Sequence, residues 1–358
     1  MQHLESPNDA ILQEDLNYIA NSDIPLNDLR NSTILVTGAT GLIGSQIIKA
    51  LLCCNRIKGT NINVLALVRD EIKVKKIYDN LLDCENLSFI YSDIVNPIRI
   101  EQPVDYIIHG ASFTKSKLFV DYPVETIKVT LKGTENILEL AKEKNVKGVV
   151  YLSSMETFGI TDPSLNLVEE SDLGYIDILN TRSCYSEGKR MSECMCASYF
   201  SEFKIPVTIA RLAQTFGSGI TLSENRVFAQ FAKSVIKGSD IILHTDGESV
   251  GNYVYTRDAV IAILMLLVNG ERGEAYIVSN EESNTTIKDM AYMVANEIAH
   301  GRIKVIFDIP EDENKLGYAP KVNMKLSSKK LRKLGWKPSV GLKDSYIRLI
   351  NSMLNIMN

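Results

Sequence analysis

From residue 33 to about 280, short apolar runs alternate with stretches whose apolar residues recur at helical spacing. The runs at 33–37, 62–68, 87–91, 104–109, 147–153, 205–211 and 274–278 read as strands, with helices between them. Strands that are apolar throughout, separated by amphipathic helices, predict an α/β protein with a doubly wound parallel sheet covered on both faces. Such units wind right-handed and place ligands at the carboxyl ends of the strands. Residues 1–30 read as a helical extension: Ile11, Leu12, Leu16 and Ile19 form an apolar stripe that ends at Asn21-Ser22-Asp23-Ile24-Pro25. The stripe is expected to pack over the edge of the main domain, with a partner contact as the other reading. Residues 216–251 and 280–358 break the alternation and predict a second, smaller lobe beside a main domain of 31–215 with 252–279.

Composition narrows the function classes. The chain has 358 residues, 45% of them hydrophobic and 23% charged, enough for a large core. A net charge of −5 gives no electrostatic case for nucleic acid, and four histidines offer little for a metal site. Six cysteines without a C-x-x-C pair indicate reduced thiols and a cytoplasmic protein. No basic, apolar leader is visible at the N-terminus, and the longest apolar run, Ala259 to Val268, is about half a membrane span.

The first strand runs into Thr37-Gly38-Ala39-Thr40-Gly41-Leu42-Ile43-Gly44, with three glycines spaced three apart before a helix. Gly38 would serve the tight turn, Gly41 the close approach of main chain to a pyrophosphate, and Gly44 the contact of helix with strand. The helix N-terminus offers N–H groups and a positive dipole end to phosphate. Gly38, Thr40, Gly41, Leu42, Ile43 and Gly44 are therefore candidate dinucleotide ligands. At the second strand's tip, Val68-Arg69-Asp70 leaves NAD against NADP open, with Arg69 leaning toward NADP. Asp93 with Ile94 ends the third strand, placed to meet the adenine edge or to cap the turn before Pro97. Gly110, Ala111 and Ser112 follow the fourth strand, where small residues let a nicotinamide ribose lie on the main chain. His109, still in the strand, reads as a buried, hydrogen-bonded histidine.

Ser153-Ser154-Met155-Glu156 closes the fifth strand, and Tyr185 and Lys189 lie four apart on a helix some thirty residues on. A phenol titrates near pH 10, so a tyrosine base needs a cation beside it. Lys189 supplies one, and Ser154 can hydrogen-bond the same substrate hydroxyl. The three together suit removal of a proton from an alcohol whose carbon loses hydride.

With these pieces the sequence resembles the extended short-chain dehydrogenase/reductases, the nucleotide-sugar epimerases, dehydratases and decarboxylases. His109-Gly110-Ala111, Gly133-Thr134-Glu135-Asn136 and Leu334-Gly335-Trp336-Lys337-Pro338 extend the likeness to about residue 345. Arg182-Ser183-Cys184-Tyr185, Arg211 to Gly217 and Asn225-Arg226-Val227 look most like the UDP-glucuronate decarboxylase branch. The resemblance implies a Rossmann domain with an interleaved substrate lobe and a tightly bound NAD or NADP. It also implies a nucleoside-diphosphate sugar oxidised to a transient 4-keto form, and a homodimer through helices near 126–142 and 185–203. It makes Ser154, Glu156, Tyr185 and Lys189 the catalytic candidates. Arg182, Gln214, Arg226, Arg257 and Lys321 become candidate substrate ligands.

Departures from the family pattern bear on the reaction. Met155 replaces an acid or serine and cannot donate a proton, which disfavours dehydration and places epimerisation ahead of decarboxylation. Thr130 stands for an asparagine, Gly251 for a phosphate-gripping arginine, and Lys321 for a second arginine that would hold phosphate as a planar fork. Asp258 is expected to cap the helix that follows it, and Trp336 to pack in the core.

Overall fold

The structure is a computed structural model that describes residues 4–114, 116–309 and 323–357. Asp9 caps α1 (Ala10–Asn21) by accepting from the Leu12 N–H, and α2 (Leu26–Leu29) leads into the sheet. There follow β1 (Thr33–Thr37), α3 (Leu42–Lys58), β2 (Asn63–Val68), α4 (Glu71–Tyr78), β3 (Leu87–Tyr91) and β4 (Tyr106–His109). Helices α5 (Ser116–Asp121) and α6 (Pro123–Lys144), β5 (Gly148–Ser154), α7 (Cys184–Phe203) and β6 (Val207–Leu212) come next. The chain continues through β7 (Gln214–Phe216), α8 (Val227–Lys237), β8 (Ile241–Leu243), β9 (Val250–Tyr255), α9 (Thr256–Asn269) and β10 (Ala275–Val278). It ends with β11 (Asn280–Thr286), α10 (Ile287–Met293), β12 (Val305–Phe307), α11 (Lys329–Arg332) and α12 (Leu342–Met357).

All seven predicted strands form one parallel sheet in the order β10-β6-β5-β4-β1-β2-β3. Their side chains alternate between two cores. Ile34, Val36, Ile108 and Val150 face one side, while Leu35, Ile107, Val149 and Ile209 face the other. Burial on both faces explains why these strands read as unbroken apolar runs. The order reverses between β1 and β4, so the crevice beyond their carboxyl ends is where a doubly wound sheet takes its ligand.

A three-stranded sheet, β11-β9-β7, and a two-stranded one, β12-β8, build the second lobe. Its core stacks Phe216 on Phe228 at 4.8 Å and packs Tyr253 and Tyr346 around them.

Leu12, Leu16 and Ile19 of α1 are buried against the main core, as the stripe predicted, whereas Ile11, the fourth member, is only half-buried. On the same helix the Asp15 carboxylate, fully buried, accepts from Ser218 Oγ and Tyr255 Oη, both at 2.6 Å. It also pairs with Arg257 at 3.2 Å and with Arg348 of α12 at 2.8 Å. One carboxylate thus ties α1, the loop after β7, the β9–α9 joint and the C-terminal helix together.

Two expectations are corrected here. Asp258 does not cap its own helix, since Tyr255 is the N-cap of α9. The Asp258 carboxylate instead accepts from the N–H groups of Ser339 and Val340, and Trp336, buried as predicted, donates Nε1–H to the Asp258 carbonyl. Arg257 is no phosphate ligand: its guanidinium lies 3.9 Å over the Tyr18 ring and bonds Asp15 and Ser339. The β9–α9 joint faces the N-terminal helix, so this arginine neutralises a buried aspartate. All six cysteines are free thiols, and among the described residues no helix is long and apolar enough to cross a membrane.

Candidate active site

The glycine turn shows why its residues must be small. Gly38 has φ +69°, and a Cβ there would stand 2.6 Å from the Gly110 carbonyl oxygen. A Cβ on Gly44 would stand 2.3 Å from the Gly38 oxygen, so α3 leans directly on the turn. Gly41 is the N-cap of α3 and makes no side-chain cap bond, which leaves the first N–H groups of the helix to a ligand. These features fit a dinucleotide pyrophosphate held by main chain.

From this turn a cavity of about 770 Å³ runs across the carboxyl ends of the strands. Its wall contains Gly38, Thr40, Gly41, Leu42, Ile43, Gly44, Arg69, Ile94, Gly110, Ala111 and Ser112 at one end. Ser154, Met155, Glu156, Tyr185, Lys189, Gln214 and Arg226 line the other. Residues from the carboxyl ends of β1, β2, β3, β4, β5 and β6 and from helices that include α3 and α7, with Gly38 and Gln214 176 positions apart, therefore share one hollow.

The catalytic candidates are close neighbours. Tyr185, buried in the first turn of α7, stacks on Phe119 of α5 with ring centroids 4.4 Å apart and planes 10° apart. Burial pushes its phenol above the usual range, and the Glu156 carboxylate pushes the same way. A hydrogen bond with Ser154 and the guanidiniums of Arg226 and Arg182 oppose that rise. Lys189 donates Nζ–H to the Leu152 carbonyl at 2.7 Å and lies 5.9 Å from the Tyr185 ring centre. Burial brings its ammonium down to about 8, against the pull of Glu193.

Behind this row is a buried lock absent from the sequence-based candidates. Arg211 of β6 grips Glu193 of α7 with Nε at 3.1 Å and Nη2 at 2.7 Å, and Ser153 donates to the same carboxylate. The lock holds α7, and with it Lys189, against the ends of β5 and β6. Phe119 was missed too, because nothing in its spacing marks it as a partner for Tyr185.

Other predictions are placed differently by the structure. Arg182 does not reach the cavity wall; it pairs with Glu156 at 2.9 Å, so it orients that carboxylate instead of touching the hollow. Asp93 is also off the wall, its carboxylate accepting from the Val95 N–H and pairing with Arg69, both at 3.2 Å. Thr130 faces α7, against Gly188, and not the cavity. Gly251 has open space where a side chain would project, and Lys321 lies outside the described residues. His109 is buried with Nδ1 2.7 Å from Thr37 Oγ1, and burial beside Lys189 lowers its pKa to about 3, so its ring is neutral.

A doubly wound sheet, a glycine-rich turn and a Ser–Tyr–Lys cluster in one hollow are the marks of an extended short-chain dehydrogenase/reductase. The chain belongs to the NAD dependent epimerase/dehydratase family, whose model matches residues 34–279, and it is an NAD-dependent enzyme of that family. It is 28% identical over 327 residues to UDP-glucuronic acid decarboxylase 1 of Danio rerio, covering 91% of this chain and 73% of that protein. Its fold matches dTDP-glucose 4,6-dehydratase from Streptomyces venezuelae, solved with NAD and TYD bound, with a TM-score of 0.74. Identity there is 22%, over 89% of this chain and 96% of the other. An epimerase from Methanothermobacter thermautotrophicus superposes with a TM-score of 0.75 at 20% identity, over 96% of each chain.

Proposed function

We propose that the protein modifies a nucleoside-diphosphate sugar through a transient 4-keto form, with net epimerisation. The observation that carries this is the single cavity that joins the phosphate-binding glycine turn to Ser154, Tyr185 and Lys189. When bound, the nicotinamide dinucleotide supplies the hydride acceptor and donor. Tyr185 takes the proton of the reacting hydroxyl and Ser154 holds its oxygen, while the Lys189 charge favours the phenolate. Glu156, oriented by Arg182, faces the carbons beside the reacting one. Gln214 and Arg226, at the same end of the hollow, hold the nucleoside diphosphate.

Decarboxylation of a UDP-hexuronic acid is the second reading, favoured by the 28% identity to a UDP-glucuronic acid decarboxylase. Against it stands Met155, a buried thioether on the wall immediately after Ser154. Incubation with UDP-, dTDP-, GDP- and CDP-sugars, followed by mass spectrometry and chromatography, decides between them. An epimer keeps the substrate's mass, a decarboxylated product loses carbon dioxide, and a reduced product gains two hydrogens while consuming cofactor. No conversion of any sugar nucleotide would sink the enzymatic reading as a whole.

The same reading includes a homodimer through α6 and α7, whose outer sides expose Val124, Ile127 and Met191. Sedimentation at micromolar concentration is expected to give a dimer; a monomer would refute that contact.

A further inference from the structure

We infer that Glu193 is a positioning residue of the site: with Ser153 and Arg211 it sets α7 against the end of β5 and supplies the counter-charge for Lys189. The inference rests on the reading of Tyr185 and Lys189 as the proton-handling pair. It adds to them a carboxylate that lies off the cavity wall.

Tyr185, Lys189 and Glu193 recur every four residues along one face of α7. Each is bonded to one of three consecutive residues at the end of β5. Lys189 donates to the Leu152 carbonyl at 2.7 Å, Glu193 accepts from Ser153 Oγ at 2.5 Å, and Tyr185 shares a hydrogen bond with Ser154. The Glu193 contact therefore belongs to the same row as the two that hold the phenol and the ammonium. Arg211 closes the row from β6, with Nη2 at 2.7 Å and Nε at 3.1 Å from the carboxylate and Nη1 at 2.6 Å from the Glu170 carbonyl. A slide of α7 along β5 would break all three contacts together. What fixes Glu193 thus fixes where Tyr185 and Lys189 stand.

A buried ion pair adds little stability beyond what an apolar pair of the same size gives, so the place of this one calls for a reason. Lys189 supplies it. Its ammonium is buried, and the other titratable groups packed on it carry no charge near neutrality. Burial drives the Tyr151 and Tyr185 phenols and the Cys196 thiol upward, and the His109 ring down to about 3. Glu193, one turn along the helix, favours the charged form of Lys189 against the burial that brings it down to about 8. Arg211 is the neighbouring cation, and it is paired with that same carboxylate at 2.7 Å. Loss of the Glu193 charge would take an anion from the ammonium and leave an unpaired guanidinium close by, and both changes lower the Lys189 pKa.

Carbon-13 NMR of the full-length protein labelled at lysine Cε, with Lys189→Arg giving the assignment, follows this ammonium directly and needs no substrate. Glu193→Gln is expected to lower the Lys189 pKa by about one unit. Glu193→Gln with Arg211→Met leaves no lone buried charge, so it should keep the fold and move the titration the same way. On the sugar nucleotide that the product survey identifies, the alkaline limb of kcat should move to lower pH in step. At about pH 9 the rate should then fall about tenfold, with KM within about twofold. A residue that only braced the fold would lower the melting temperature and slow turnover alike at every pH. Lys189 titrating at the parent's pKa in either folded variant overturns the inference. Should no sugar nucleotide be converted, the proposed function fails while the NMR titration still decides for or against Glu193.

Discussion

Tyr185→Phe is expected to lower kcat by about a thousandfold or more, since the positioned phenol is the proposed proton acceptor and such groups contribute roughly 10²–10⁴. The substitution removes only one oxygen. Phenylalanine keeps the stack on Phe119 at 4.4 Å, so the fold and the cavity wall should survive. Dinucleotide affinity and the melting temperature are expected to stay close to the parent values, which separates lost chemistry from lost structure. Turnover is to be measured on whichever sugar nucleotide the product survey identifies. An unchanged kcat there would remove Tyr185 from the mechanism. Lys189→Met should also be severe, and by a different route. It removes the cation near the phenol and leaves the Leu152 carbonyl without its donor, so stability should fall along with kcat.

Asp15→Ala should destabilise the protein by about 3–5 kcal/mol, the usual cost of stripping one partner from a buried ion pair. Asp15 lies in the N-terminal segment that sequence alone would treat as an appendage. Its carboxylate nevertheless receives Ser218, Tyr255, Arg257 and Arg348. Among the described residues, removal leaves the buried Arg257 guanidinium with only Asp258 as an anion, at 4.0 Å, and the partly buried Arg348 with only the exposed Glu14, at 3.3 Å. Chemical denaturation should show a lower midpoint with an unchanged slope. A shift below about 1 kcal/mol, in the range of an exposed pair, would mean that α1 is only laid on the surface.

Chain order and hydrophobic pattern were enough to read the seven strands, because each is buried on both faces and so must be apolar throughout. The glycine turn was legible for a related reason. Gly38 and Gly44 meet main-chain atoms at distances no side chain tolerates, and a steric demand of that kind leaves a mark at fixed spacing. Tyr185 and Lys189 were legible because one helix carries both.

Charged residues were harder to read, since a charge declares no partner in sequence. Arg257 and Arg182 both read as substrate ligands. One neutralises Asp15, 242 positions away, and the other holds Glu156. Glu193 with Arg211, and Phe119 against Tyr185, meet across different elements, so no local spacing could announce them.

The sequence by itself determined the class of fold, the glycine turn and the Ser–Tyr–Lys trio, since each is written in local spacing and in the burial every residue must undergo. Only the tertiary structure decided which cations face the cavity, which carboxylates are spent on capping, and that the N-terminal helix is clamped by Asp15. Those outcomes depend on which side chains from distant segments arrive at the same place, and long-range electrostatic pairing leaves no period in the chain.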